Sequence, residues 1–190
     1  MKTDLELGRQ LIHIVTGIII VILLFFEVIN KWVILGLVIL GVILFLIRLK
    51  TPLDSIDKIV KPFERKNEKH HYEGPLTFLM GIMAVLFIFD KNIALASILI
   101  MTLGDGASTV FGTLLGRRKI PWSNKTFTGS FFGIIFAFAG AVFFVNWLYA
   151  LIASVAALIV ECFDRGLMDI NDNILMPVVA GAVLAIMAAL

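Results

Sequence analysis

The chain has 190 residues, 60% of them hydrophobic and only 16% charged, with a mean hydropathy of +1.02 and a formal net charge of +2. Soluble domains carry about a quarter charged residues, so this balance excludes an ordinary soluble domain and makes lipid the solvent for most of the chain. The small, scattered charge also argues against nucleic acid as a partner, and a chain this short leaves no room for a separate soluble domain, so residues 1–190 read as one transmembrane domain.

Seven apolar runs follow one another: Leu11 to Phe26, Trp32 to Ile47, Pro75 to Phe89, Asn92 to Leu115, Gly129 to Trp147, Leu148 to Cys162 and Ile174 to Leu190. They predict an all-α, polytopic integral membrane protein of about seven transmembrane helices. Several runs fall short of the roughly 20 residues that cross a bilayer, so Trp32, Tyr72 and Trp147 are expected at the interfaces. The first run is read as a permanent span, because Glu27 follows it directly and no small-residue cleavage site does. With seven spans, 14 Lys and Arg residues fall on one side and only Lys31 and Lys91 on the other, which predicts a cytoplasmic N-terminus. That placement makes Asn124-Lys125-Thr126 a chance glycosylation sequon.

In chain order, the first polar group is Glu6, Arg9 and His13, whose spacings of three and four residues share one helical face at the cytoplasmic entrance of the first span. The stretch 51–71 is expected to be a cytoplasmic amphipathic, basic connector: Thr51-Pro52-Leu53-Asp54 reads as a helix start, and Leu53, Ile56, Ile59, Val60 and Phe63 form an apolar stripe opposite Lys58, Lys61, Arg65 and Lys66. His70 and His71 lack the neighbouring ligands of a zinc site.

Next come Gly104-Asp105-Gly106-Ala107-Ser108, then Gly112 and Gly116. At about 1.5 Å per residue from Ile93, Asp105 lies roughly 18 Å along the span, just past its midplane. A lone carboxylate there is expensive and marks function. The flanking glycines allow the helix to break and its amides to approach a ligand, although close helix packing explains Gly112 and Gly116 equally well. Arg117 and Lys125 lie in the following loop. Glu161 lies near the end of the sixth run, and Asp172-Asn173 stand at the start of the seventh, where an acidic residue also suits the helix macrodipole. Asp164 and Asp169 read as loop charges, and Cys162 as a small buried thiol. Carboxylates that hold Mg²⁺, with Lys and Arg beside them, suit phosphoryl or nucleotidyl transfer to a membrane lipid, yet no Gly-Lys-Ser/Thr ending makes a P-loop here.

These segments together resemble the CTP-dependent polyprenol kinase family of dolichol, phytol and CTP-using diacylglycerol kinases, which is related to phosphatidate cytidylyltransferases. The family's Glu-x-x-Arg-Lys-x-x-His is met by Glu6 to His13, with Gln10 where the family has Lys, which removes a possible phosphate contact. Its Gly-Asp-Gly segment is met by Gly104 to Ser108, its Lys-Thr-x-x-Gly-Ser by Lys125 to Ser130, and its acidic residue, Asp-Asn and Pro by Glu161, Asp172-Asn173 and Pro177. The resemblance implies transfer of the CTP γ-phosphate to a membrane isoprenoid alcohol, giving polyprenyl phosphate and CDP, at a cytoplasm-facing site. It implies Asp105, Lys125, Glu161 and Asp172 as catalytic residues, and Asp105, Glu161 and Asp172 as ligands of Mg²⁺ or a similar divalent cation. Arg9, Gly104, Gly106, Arg117, Lys125, Gly129 and Asn173 would bind the nucleotide and its phosphates, with Glu6, His13 and Ser108 in support. A CTP:lipid-phosphate cytidylyltransferase and a small cation-coupled transporter are the rival readings, and nothing in the sequence indicates an oligomer.

Overall fold

The computed structural model describes residues 2–50, 73–163 and 171–190. Within them lie seven helices: α1 (Lys2–Phe25), α2 (Lys31–Lys50), α3 (Glu73–Ile88), α4 (Lys91–Leu115), α5 (Phe127–Ala141), α6 (Trp147–Glu161) and α7 (Asp172–Ala189). The expected connector at 51–71, with its histidines, and the loop charges Asp164 and Asp169 lie outside the described residues.

Each apolar run forms a helix, and the molecule is an all-α polytopic membrane protein. α1, α4 and α7 contain stretches long and apolar enough to cross a bilayer; α2, α3, α5 and α6 contribute shorter apolar helices. The fifth run departs from expectation. Its helix stops at Ala141, six residues before Trp147, and α6 restarts behind Asn146, whose side chain accepts from Leu148 N at 2.9 Å. That cap competes with continuing the helix, and hydropathy cannot register it.

α4 is the axis of the bundle. Every residue from Ala94 to Thr102 is buried, as expected of a helix apolar on all sides, and α1, α3, α5, α6 and α7 all pack on it. Among the described residues α2 packs on α3 alone, and much of its outer face, Leu37, Ile39, Leu40, Ile43 and Leu46, is exposed as a lipid-facing surface would be. Small residues set the spacing between helices. On α4, Gly104, Ser108 and Gly112 recur every four residues, facing Gly129, Gly133 and Ala137 on α5 at the same interval. A Cβ on Gly133 would stand 2.9 Å from the Gly104 carbonyl oxygen and 3.0 Å from Ser108 Cβ. Without a hydrophobic driving force between helices in lipid, such close backbone approach supplies the packing energy.

Pro177, inside α7, has no N–H to bond the Asn173 carbonyl four residues back. That carbonyl points at Gly81 of α3, where a Cβ would collide with it. Asn173 Nδ2 also donates to Thr77 Oγ1 at 3.3 Å and to Gly74 O at 3.4 Å, so one residue ties α3 to the start of α7.

The helices run so that polar ends collect at both ends of the bundle. At one, Lys91 donates to Glu27 at 2.6 Å and to the Phe25 carbonyl at 3.2 Å, while Lys31 lies 5.1 Å from the centre of the Phe87 ring. The ion pair lowers the Glu27 carboxyl below its ordinary range through the bond and charge of Lys91. The other end carries Glu6, Arg9 and the loop from Gly116 to Thr126.

Candidate active site

The loop that carries Lys125 is shaped by its own sequence. Pro121 occupies the second position of a turn closed by Ser123 N donating to Ile120 O at 3.0 Å. Ile120 N then donates to Lys125 O at 2.9 Å and Phe127 N to Arg118 O at 3.2 Å, forming an isolated antiparallel bridge between Lys119 and Thr126. Lys125 N donates in turn to Ser123 Oγ at 3.2 Å. Thr126 caps α5 by accepting from Gly129 N at 3.1 Å. The backbone on both sides of Lys125 is therefore held, and its long side chain turns inward.

There the ammonium meets Asp105 of α4 and Glu161 of α6. Lys125 Nζ lies 3.1 Å from Asp105 Oδ1 and 3.4 Å from Ser108 Oγ, and it donates to Glu161 Oε1. Ser108 donates to the same Glu161 oxygen at 2.5 Å, and Thr109 Oγ1 stands 3.5 Å from Asp105 Oδ1. Asp105 is 5% exposed and Glu161 1%. Burying two carboxylates costs several kcal/mol each unless they are paired and hydrogen-bonded, and here one ammonium and two hydroxyls serve both. Residues 20 and 36 positions apart from Lys125 are thus joined in one charged cluster inside the apolar bundle.

The remaining predicted residues fall elsewhere. Glu6 and Arg9 pair with each other at 2.5 Å, and Gln10 Nε2 reaches Glu6 at 3.4 Å. His13 stacks at a tilt on Phe78, ring centres 4.5 Å apart. Arg117 is exposed on the loop. Asp172 begins α7 behind its cap Asn171, near enough to Cys162 for electrostatic interaction. Asn173 serves the α3–α7 contact described above.

The glycines need correction. α4 runs unbroken through Gly104 and Gly106, with no helix break at Asp105. Gly106 is filled by Ile14 of α1, whose Cγ1 lies 2.5 Å from where a Cβ would stand, and Gly104 by Leu158 of α6 at 3.0 Å. Gly129 faces the Ser108 carbonyl and Gly112. All three bring helices together and so help to position Asp105.

Asp105, Glu161 and Ser108 offer carboxylate and hydroxyl oxygens, the hard donors that Mg²⁺ takes. Glu161 Oε2 is buried with no hydrogen-bond partner among the described residues. Among those residues no three His, Cys, Asp or Glu side chains form a metal-binding group. The fit is to a cation held by two carboxylates and completed by substrate phosphates, the usual arrangement for Mg²⁺ with a nucleotide.

This chain is similar to several lipid kinases. It is 36% identical over 67 residues to CTP-dependent diacylglycerol kinase 1 of Eremothecium gossypii, covering 35% of this chain and 21% of that protein. To probable phytol kinase 2, chloroplastic, of Oryza sativa subsp. japonica it is 26% identical across 90% of its own length and 63% of the relative's. It is 27% identical to the chloroplastic farnesol kinase of Arabidopsis thaliana, over 60% of this chain and 43% of that one. These similarities are to lipid kinases of the kind that make up the CTP-dependent polyprenol kinase family. It spans between about a fifth and two thirds of the length of these relatives. No family model and no solved structure matches.

Within the family resemblance the structure separates two kinds of motif residue. Asp105, Ser108, Lys125 and Glu161 meet one another, whereas Gly104, Gly106, Gly129, Asn173 and Pro177 shape the helices around them. Thr109 was not singled out from sequence, and the structural roles of Thr126 and Gln10 were not read from it. Thr109 stands one helical turn from Asp105, a spacing that could have drawn attention to it. Thr126 is the helix cap, legible in principle as a Thr before an apolar run. Gln10, a departure from the family pattern, is 2% exposed and packs inside the bundle against Glu6, a position that α1 periodicity alone does not reveal.

Proposed function

We propose that this protein is a CTP-dependent lipid kinase that transfers the γ-phosphate of CTP to the hydroxyl of a membrane-soluble isoprenoid alcohol, yielding lipid phosphate and CDP. The observation that carries this reading is the convergence of Lys125, Asp105, Ser108 and Glu161 within the apolar bundle. Kinship with CTP-dependent diacylglycerol, phytol and farnesol kinases supports the donor and an alcohol acceptor.

In the reaction the lipid oxygen bonds to the γ-phosphorus, the bond from that phosphorus to the β-γ bridging oxygen breaks, and the hydroxyl proton passes to a carboxylate. Asp105, held by α4 at lipid depth, is the group assigned to receive it. Mg²⁺ bound by Asp105 and Glu161 would neutralise the phosphate oxygens. Lys125 contributes positive charge to the transferring phosphate, and Ser108 orients Glu161. Arg9 and the exposed Arg117 lie at the same end of the bundle, where nucleotide would enter, and Asp172 stands at its rim. The distribution of basic residues supports a cytoplasmic position for this end, with the acceptor entering from the bilayer.

Purified protein given γ-labelled CTP, Mg²⁺ and a panel of farnesol, phytol, polyprenol and diacylglycerol should label an alcohol, with CTP preferred over ATP, UTP and GTP. Label released as pyrophosphate with a phospholipid acceptor would establish the cytidylyltransferase reaction instead. Ion flux in proteoliposomes without CTP turnover would overturn both in favour of a transporter.

A further inference from the structure

We infer that the oxygen cage of Asp105, Ser108 and Glu161 is a divalent-cation seat occupied by the Lys125 ammonium when no cation is bound, so that Lys125 and the cation are alternative occupants. The inference rests on the kinase reading for its purpose, and on the geometry for its existence. Lys125 Nζ is placed as a bound cation would be: one charge approached by Asp105 Oδ1 at 3.1 Å, by Ser108 Oγ at 3.4 Å and by Glu161 Oε1, oxygens supplied by two helices. Glu161 Oε2 adds an independent sign. It is a carboxylate oxygen of a residue 1% exposed, with no hydrogen-bond partner among the described residues, and its lone pairs suit a metal ion better than an already shared ammonium.

The two occupants exclude each other. A divalent ion and an ammonium both within reach of the same three oxygens would lie within a few ångström in a medium of low polarity, where their repulsion is strong. Lys125 has a way out. Its backbone is pinned by Ser123 Oγ and Ile120 N, but the ammonium hangs on four flexible methylenes from a half-buried loop, so it can swing without moving α4 or α6. Two carboxylates and a hydroxyl alone hold Mg²⁺ weakly, since such sites normally draw further ligands from substrate phosphates. Cation and nucleotide therefore arrive together, and the ammonium they displace is released beside the phosphates that need it.

Two measurements on the full-length chain in detergent, both without nucleotide or lipid, test this. Paramagnetic resonance of Mn²⁺ should show weak binding to the parent and at least tenfold tighter binding to Lys125→Gln, with the gain lost in Lys125→Gln/Glu161→Gln. In the unmodified protein, acylation by an amine reagent read by mass spectrometry should show Lys125 protected, and millimolar Mg²⁺ should raise its labelling severalfold relative to Lys91 at the far end. Equal or weaker Mn²⁺ affinity in a folded Lys125→Gln, or Lys125 labelling indifferent to Mg²⁺, overturns the exchange. Because neither readout uses turnover, a chain that phosphorylates no lipid can still show it, and an active kinase can still fail it.

Discussion

Replacing Ser108 with Ala removes one hydroxyl from the buried cluster and changes little else. The hydroxyl donates to Glu161 Oε1 at 2.5 Å and lies 3.1 Å from the Asp105 carbonyl oxygen, and both Ser108 and Glu161 are buried from water that might substitute for it. A hydrogen bond to a charged group contributes about 1.5 to 3 kcal/mol, and the void left by one oxygen is too small to add much. Because Lys125 also serves Glu161, a loss near 2 kcal/mol is expected in folding free energy. Denaturant titration in mixed micelles, run on Ser108→Ala, Glu161→Ala and the double variant, isolates the pair. A coupling of between about 0.5 and 3 kcal/mol is expected for residues in one hydrogen-bond network. Phosphoryl transfer by Ser108→Ala should fall roughly tenfold in kcat, equivalent to about 1.4 kcal/mol of lost orientation at Glu161, with a smaller change in KM for CTP. Additive effects within about 0.3 kcal/mol would refute the interaction, as would unchanged stability of the single variant.

Asp105→Asn should lower lipid phosphorylation at least about 100-fold while helicity and gel-filtration behaviour stay those of the parent, as expected when a proton acceptor is lost but its volume kept. Gly133→Ala places a Cβ 2.8 Å from Leu158 Cδ1 and 2.9 Å from the Gly104 carbonyl, so α4 and α5 must separate and thermal unfolding should report a loss of about 1 to 3 kcal/mol. Gly8→Ala is its control: nothing lies within 4 Å of the added carbon, and helix propensity makes that change neutral or stabilising by up to about 1 kcal/mol. Thr126→Ala removes the α5 cap, with an expected cost of about 1 kcal/mol in the same assay and a fall in turnover, because Lys125 is the adjoining residue.

The sequence by itself determined the solvent and the elements. Apolar runs separated by short polar breaks leave a chain little choice but helices, because in lipid every backbone N–H and C=O must be satisfied within its own segment. It also determined that Asp105 needed an explanation, since an ionisable group deep in a span is too costly to be incidental. The motif spacings pointed to Ser108, Lys125 and Glu161 as its companions, but could not say which of them meet. That was decided by tertiary structure, through a turn at Pro121 that aims Lys125 inward and through small residues that let α4 lie close to α5 and α1. The same glycines that suggested a broken helix instead kept it whole, because a missing side chain is equally an invitation to a neighbouring helix, and only the identity of that neighbour, Ile14 for Gly106 and Leu158 for Gly104, distinguishes the two. Asn173 likewise reads as a site residue in one dimension, and Pro177 as part of the motif beside it. In three, the proline frees a carbonyl for Gly81 and the asparagine side chain holds α3, so both also place helices. Periodicity reports which face of a helix is polar; which partner satisfies that face depends on contacts distant in sequence, and those exist only once the bundle has closed.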